Sequence, residues 1–253
     1  MDRPGLIDAN TVATLGDLLT VWAHPDDETY LAGGLMAAAI ATGARVTCVV
    51  ATSGERGGPP DQQAELSWRR EEELTDALSA LGVTDVVLQR LPDGGCSALD
   101  PSGPVATIAG LIDDHVPDTV ITFGPDGLTG HADHRAVSAW VTAALTRRGT
   151  TRPRLLQAAI TPTMAASGAD IHARFTVYEP GLPVTRSQAD LAVHLNLNGG
   201  LLDTKIRALR AHASQTSVLE AAIGPDTYRE WVATECFVDA DPADDARLRQ
   251  RIA

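Results

Sequence analysis

At 253 residues with 44% apolar side chains, the chain is long enough for one large α/β domain or two small ones and has material for a substantial core, which argues against a disordered chain. Its 33 acidic residues outnumber 20 basic ones, giving a formal charge of −13, so a general nucleic-acid surface is excluded; the acidic excess reads as a solvated surface or, gathered in a cleft, as a cation site. No apolar window of about 18 residues is present to span a membrane, and Asp2 with a broken apolar run at the amino terminus argues against a signal peptide.

In chain order, strand-like runs alternate with helical periodicity through the first 150 residues, the pattern of βαβ units feeding a parallel sheet with helices on both faces. Short runs rich in Val, Leu, Ile or Thr predict strands at 18–23, 45–52, 85–91 and 119–123. Helices are expected at 31–42, 61–81 and 105–115, with Gly43 and Gly82 where helix-ending glycines belong, and a fourth over 131–148. After Arg152, strands at 155–160 and 191–197 flank a Pro/Gly-rich stretch at 178–184, which reads as extra strands and a cap. Helices at 201–212 and 226–232 and a strand at 234–238 follow, and the acidic tail is expected to fray. The fold class is therefore α/β, a mostly parallel sheet with helices on both faces and a small C-terminal cap with extra strands. The whole of 1–253 reads as one domain, with its core at about 15–150 and additions over 151–253. Trp22, Trp68, Trp140 and Trp231 sit at apolar positions and read as core. Cys48, Cys96 and Cys236 are odd in number, far apart and without a CxxC pair, which argues against a disulfide framework or a thiolate zinc cluster and fits a reducing cytoplasm.

Two motifs carry chemistry. Ala23-His24-Pro25-Asp26-Asp27-Glu28 directly follows the first strand, and in an open α/β sheet ligands bind outside the carboxyl ends of the strands. His24 and Asp27 are suitable ligands for zinc, while Asp26, beside a ligand, is placed to take a proton from a water whose pKa the metal lowers. Gly130-His131-Ala132-Asp133-His134 follows the fourth strand. His134 would complete a His/Asp/His set, leaving His131 to stabilise an oxyanion or protonate a leaving amine and Asp133 to orient a histidine, His131 for preference. Either motif alone could be a helix-capping segment complementing a helix dipole. Together, at two strand ends, they point to a metal centre.

This pair, AHPDDE with GHADH, resembles the PIG-L/LmbE-like N-acetylglucosaminyl deacetylases, a family that includes mycothiol- and bacillithiol-pathway deacetylases. The resemblance implies a Rossmann-like fold and one divalent metal per chain, usually zinc, on His24, Asp27 and His134, with Asp26 as base and His131 as its electrostatic partner. It also implies removal of an N-acyl, mainly N-acetyl, group from a small-molecule amino sugar. Weaker echoes place Glu55, Arg56, Asp93, His212 and Gln215 as substrate contacts, each also readable as an ordinary loop or helix-end residue. An amidase for thiol conjugates and a deacylase of a glycosylated natural product would use the same centre. A non-catalytic nucleotide- or sugar-binding module is disfavoured, because no GxGxxG follows the first strand and an acidic loop there repels a pyrophosphate. A cytoplasmic enzyme without a nucleic-acid partner is expected, and a homo-oligomer is left open.

Overall fold

The computed structural model describes residues 12–146 and 152–251. The amino-terminal residues, where no signal peptide is expected, and the predicted end of the fourth helix at 147–148 lie outside them. Seven strands, β1 (Leu18–Trp22), β2 (Val46–Thr52), β3 (Asp85–Leu91), β4 (Thr119–Phe123), β5 (Arg154–Ala158), β6 (Val193–Asn196) and β7 (Thr234–Asp239), form one sheet in the order β3-β2-β1-β4-β5-β7-β6. The first five run parallel, and β7 pairs antiparallel with both β5 and β6. All residues of β1, β2 and β4 are buried. That is why LLTVW, VTCVVAT and TVITF lack the alternation of a half-solvated strand: helices cover both of their faces.

Helices α1 (Asp27–Ala41) and α2 (Gln63–Leu81) link β1 to β2 and β2 to β3, and pack with α7 (Gly199–Ala211) on one face. α3 (Ser102–His115) and α4 (Ala132–Thr146) pack together on the other. Gly82 ends α2 with φ of 82°, a left-handed backbone that favours glycine, as expected from its position. The chain thus winds outward from β1 to β3 and returns to lay β4 against the opposite side of β1. The β1 and β4 ends flank the point where the winding reverses, where loops diverge and open a crevice.

Several expectations are corrected. The stretch after β5 contains two short unexpected helices, α5 (Pro162–Ser167) and α6 (Ala169–Phe175), while the expected extra strands are present and extend the main sheet. A helix not expected from the sequence, α8 (Ala213–Ile223), lies between α7 and α9 (Pro225–Val232). Up to Arg251 the tail is ordered as a helix, α10 (Pro242–Arg251), with Leu248 buried. Trp68 is no core residue, being 70% exposed, whereas Trp22 and Trp140 are buried. Among the described residues no helix is long and apolar enough to cross a membrane.

One buried ion pair ties the late elements to the helix that carries the first motif. Lys205 of α7 and Glu235 of β7 are fully buried, 2.7 Å apart. Lys205 also donates to the Tyr30 carbonyl, and Glu235 accepts from the Gly34 and Leu35 amides in the middle of α1. Removing one partner leaves the other charge buried and uncompensated. Lys205→Met is therefore expected to destabilise the fold by about 3–5 kcal/mol, read as a lower urea midpoint at unchanged slope. A midpoint equal to the wild type's would show that the pair holds nothing together.

Candidate functional site

The loop after β1 and the loop after β4 meet at the carboxyl end of the sheet. His24 leaves β1 by two residues, Asp27 opens α1, and His134 lies in the first turn of α4. The last residue of β4, Phe123, stacks on the His134 ring at 4.1 Å between centroids, and Trp22 packs edge-on against Phe123. The strand ends thereby fix the plane of one imidazole. Asp27 Oδ2 accepts from the His24 backbone N–H at 2.8 Å, which turns its carboxylate back over the loop.

The donor atoms converge closely. His24 Nδ1 lies 3.2 Å from His134 Nε2 and 3.4 Å from Asp27 Oδ2, and His134 Nε2 lies 3.3 Å from Asp27 Oδ1. Donors on a tetrahedral ion with bonds of about 2.0–2.1 Å stand roughly 3.3–3.4 Å apart, so these spacings fit a zinc-sized cation. Hydrogen bonds set the tautomers: the N–H at His134 Nδ1 is directed at the Gly127 carbonyl at 3.0 Å, and that at His24 Nε2 at the carboxylates of Asp93 (3.1 Å) and Asp133 (3.4 Å). Each outer partner leaves the inward nitrogen with a free lone pair. Two lone pairs and a carboxylate pointed at one place repel unless a cation or a proton stands between them.

The electrostatics record that demand. Burial disfavours a charged His24, yet Asp133, Asp27 and Asp93 outweigh it and raise its pKa well above the ordinary value. Burial and the neighbouring imidazoles His24 and His131 push His134 down to about 4, against the pull of Asp27. For Asp27, burial is overcome by His134 and His24, which lower its pKa.

Asp26 stands beside this set in a different environment. Its φ of 119° is in a region a non-glycine residue rarely occupies, a strain of the kind that clusters at functional sites. Burial raises its carboxyl to about 6, more than the Arg70 guanidinium, 3.2 Å away, brings it down. Arg70 is itself buried and donates to the Gly54 and Pro25 carbonyls. A Cβ on Gly54, whose φ is 66°, would come within 2.4 Å of that guanidinium, so glycine is required there. Behind the loop, buried Glu28 accepts from the Asp26 amide at 2.9 Å and faces His212 Nε2 at 2.8 Å. The two buried groups brace the Asp26 backbone from below.

Residues 19–145 match the family described as PIG-L, GlcNAc-PI de-N-acetylase. The chain belongs to the PIG-L family. A 1D-myo-inositol 2-acetamido-2-deoxy-alpha-D-glucopyranoside deacetylase from Rhodococcus opacus is 32% identical over 267 residues, covering 87% of this chain and 90% of its own. Among solved structures, the N,N'-diacetylchitobiose deacetylase from Pyrococcus horikoshii aligns with a TM-score of 0.65 at 18% identity, over 92% of this chain and 87% of that one. A 4-carboxy-2-hydroxymuconate hydratase from Pseudomonas putida aligns with a TM-score of 0.59 at 17% identity, over 90% of this chain and 97% of its own. A PIG-L-like fold therefore carries more than one reaction, and function has to be argued from the site.

In this PIG-L chain the structure brings His24, Asp27, His134, His131 and Asp26 into one cluster. His131 is exposed, edge-on to His24 at 4.7 Å between centroids, and its Nδ1 accepts from the Asp133 amide at 3.2 Å, which leaves the N–H on Nε2. Donor atoms of the three histidines lie within 4.8 Å of one another, as do those of His24, Asp93 and Asp133, so each group could hold a metal ion. Asp133 is placed differently from expectation: its carboxylate orients His24, not His131, and is held by the Gly94 and Cys96 amides at 2.6 and 3.0 Å. Asp93 is buried against His24 and accepts from the Arg56 amide, while Glu55 accepts from the Asp93 amide. Glu55 and Arg56 thus frame the Asp93 turn. His212 does not approach the open cleft, since its ring is fully buried against Glu28. Gln215, half-buried, lies near Gly57 at a separate surface groove. Cys96 is buried with its thiol pushed up to about 12 by burial and nearby carboxylates, which leaves it inert. Sequence reasoning did not single out Arg70 or Glu28 as parts of the site.

Proposed function

We propose that this chain is a metal-dependent hydrolase that removes an N-acyl group, most simply acetyl, from an amino sugar or another glucosaminyl-containing small molecule. The observation that carries the reading is the set of donor atoms of His24, Asp27 and His134 at 3.2–3.4 Å, with both tautomers held outward and Asp26 alongside. A relative named for a glucosaminyl-inositol substrate supports the substrate class. Those three residues would hold one divalent ion, zinc by preference, which when bound supplies Lewis acidity to the acyl carbonyl and lowers the pKa of a water.

The chain's own groups do the rest. Asp26 takes the proton from the attacking water, and a carboxyl raised by burial towards neutrality suits a base better than a free aspartate does. Arg70 keeps that carboxylate in place. His131, with its proton on Nε2 and its ring exposed, donates to the oxyanion that develops on the carbonyl oxygen. The C–N bond then breaks as the amine takes a proton from Asp26 or His131, releasing a carboxylate and a free amino sugar. Strands β5 to β7 complete the sheet that carries both loops, so the whole chain is proposed to act as one catalytic unit.

The test is amine release from N-acetylglucosamine and from its α-linked inositol glycoside. Turnover is expected with the zinc-loaded protein, to fall at least about a hundredfold after chelation, as loss of metal-supplied stabilisation of several kcal/mol requires, and to return with zinc. Turnover that persists in protein shown by elemental analysis to be metal-free would sink the reading, as would no amine release by zinc-loaded protein from these substrates or from glucosamine carrying any longer N-acyl group.

A further inference from the structure

Beside the metal donors lies a cavity of about 280 Å³ that acetyl chemistry leaves unexplained. Asp27 and His134 form part of its wall; Leu31, Leu128, Ile160, Met164, Val177 and Trp231 make the remainder mainly apolar, with Tyr30, Thr129, Ser167, His172, Tyr178 and Glu230 as polar groups among them. Five different elements or connections contribute these side chains, from α1, the loop after β4, the end of β5, the cap helices and the β7 approach. The opposite flank of the centre is chemically different. Asp93, Glu55, Arg56 and His131 gather there, and none of them lines the cavity.

This asymmetry sorts the two halves of an N-acyl amino sugar. Hydroxyls need hydrogen-bonding partners, which the exposed Arg56 and His131 offer on that flank, whereas placing them against a mainly apolar wall would leave most of them unsatisfied. An acyl chain has the reverse preference. A methyl is close in bulk to a water molecule, whose share of liquid volume is about 30 Å³, so an acetyl group would occupy about a tenth of the space and leave the rest without contacts. At that bulk an alkyl chain of roughly nine carbons would fill it. Because the cavity begins at Asp27 and His134, such a chain enters it directly from the carbonyl carbon.

We propose that the cavity receives the acyl chain of the substrate, and that this chain is a deacylase for N-acyl amino sugars of medium chain length. The inference rests on the hydrolase reading above and names its substrate class. Water adds to the amide carbon, the C–N bond breaks, the amine leaves with the proton, and the carboxylate product keeps its alkyl chain in the cavity until release.

The experiment compares kcat/KM of the zinc-loaded enzyme on glucosamine acylated with acetyl, butanoyl, hexanoyl and octanoyl groups, and on the octyl glycoside of N-acetylglucosamine. Burial of each methylene is expected to raise kcat/KM about fourfold until the cavity is full, at least about a hundredfold from acetyl to octanoyl. Met164→Trp, which takes up part of the cavity, is expected to lower the octanoyl-to-acetyl ratio at least tenfold; taken within one protein, that ratio is insensitive to overall loss of activity. A flat or falling series while N-acetylglucosamine is hydrolysed overturns the acyl assignment and leaves the hydrolase reading intact. A gain with the octyl glycoside but not with the longer acyl groups also overturns it, by giving the cavity to the aglycone. No hydrolysis at any chain length overturns both.

Discussion

His134→Ala is expected to yield a folded protein that no longer retains zinc and shows no measurable amine release. The imidazole supplies one of three donor atoms, and no neighbouring side chain is placed to substitute for it at the same spacing without moving the loop: His131 Nδ1 is engaged by the Asp133 amide. Loss of a group that merely orients a ligand costs about 10–100-fold in metal affinity, and loss of the ligand itself costs more. The fold tolerates the change because Phe123, Trp22 and the buried β4 carry that part of the core, and what is given up is the stacking on Phe123, worth about 0.5–1.5 kcal/mol, and the hydrogen bond to the Gly127 carbonyl, of about the same worth. Elemental analysis beside a thermal melt separates the two effects. A variant that melts like the wild type yet holds one zinc per chain would remove His134 from the ligand set. Asp133→Asn gives an intermediate result on the same assay, since it weakens the hold on His24 Nε2 while all three donors remain.

The same residues show why some of this site was legible in the chain and some was not. Strands buried on both faces read as unbroken apolar runs, so β1 and β4 could be placed from LLTVW and TVITF alone, and the motifs that follow them fell at the crevice by the geometry of parallel sheets. Partners distant in sequence could not be placed that way. Asp133 lies two residues from His131 and 109 from His24, and adjacency favoured the wrong histidine. Arg70 sits in the run RREEE, which has the composition of a solvated helix face; it is buried only because the Asp26 turn and Gly54 close over it, a fact of tertiary packing. Trp68, on the same helix, shows the opposite error, an aromatic that periodicity assigns to the core and the structure leaves in solvent. The acyl cavity had no local signal, because its walls come from positions between 27 and 236.

Asp26→Asn is expected to keep the metal and the fold and to lose about 10²–10⁴ in kcat, the usual worth of a positioned general base. Asparagine has the shape of the carboxylate, accepts positive φ more readily than most residues, and so fits the strained backbone at 119°. It can still accept a hydrogen bond from Arg70 through its carbonyl oxygen, but it cannot take a proton from water. Two effects on stability oppose each other. The folded carboxyl, at about 6, stands above its unfolded value, so its ionised form costs stability at pH above 6 and none below the unfolded pKa, and the amide removes that cost. Against this, the buried Arg70 loses its only carboxylate partner among the described residues. The melting temperature is therefore expected to stay within about 2–4 °C of the wild type's, the shift that 1 kcal/mol produces in a domain of this size. KM changes little, because Asp26 acts on the water and not on the sugar. A variant with full zinc occupancy and kcat within tenfold of the wild type's would leave the centre without this base and transfer the proton to His131, which His131→Gln in the same background would then abolish.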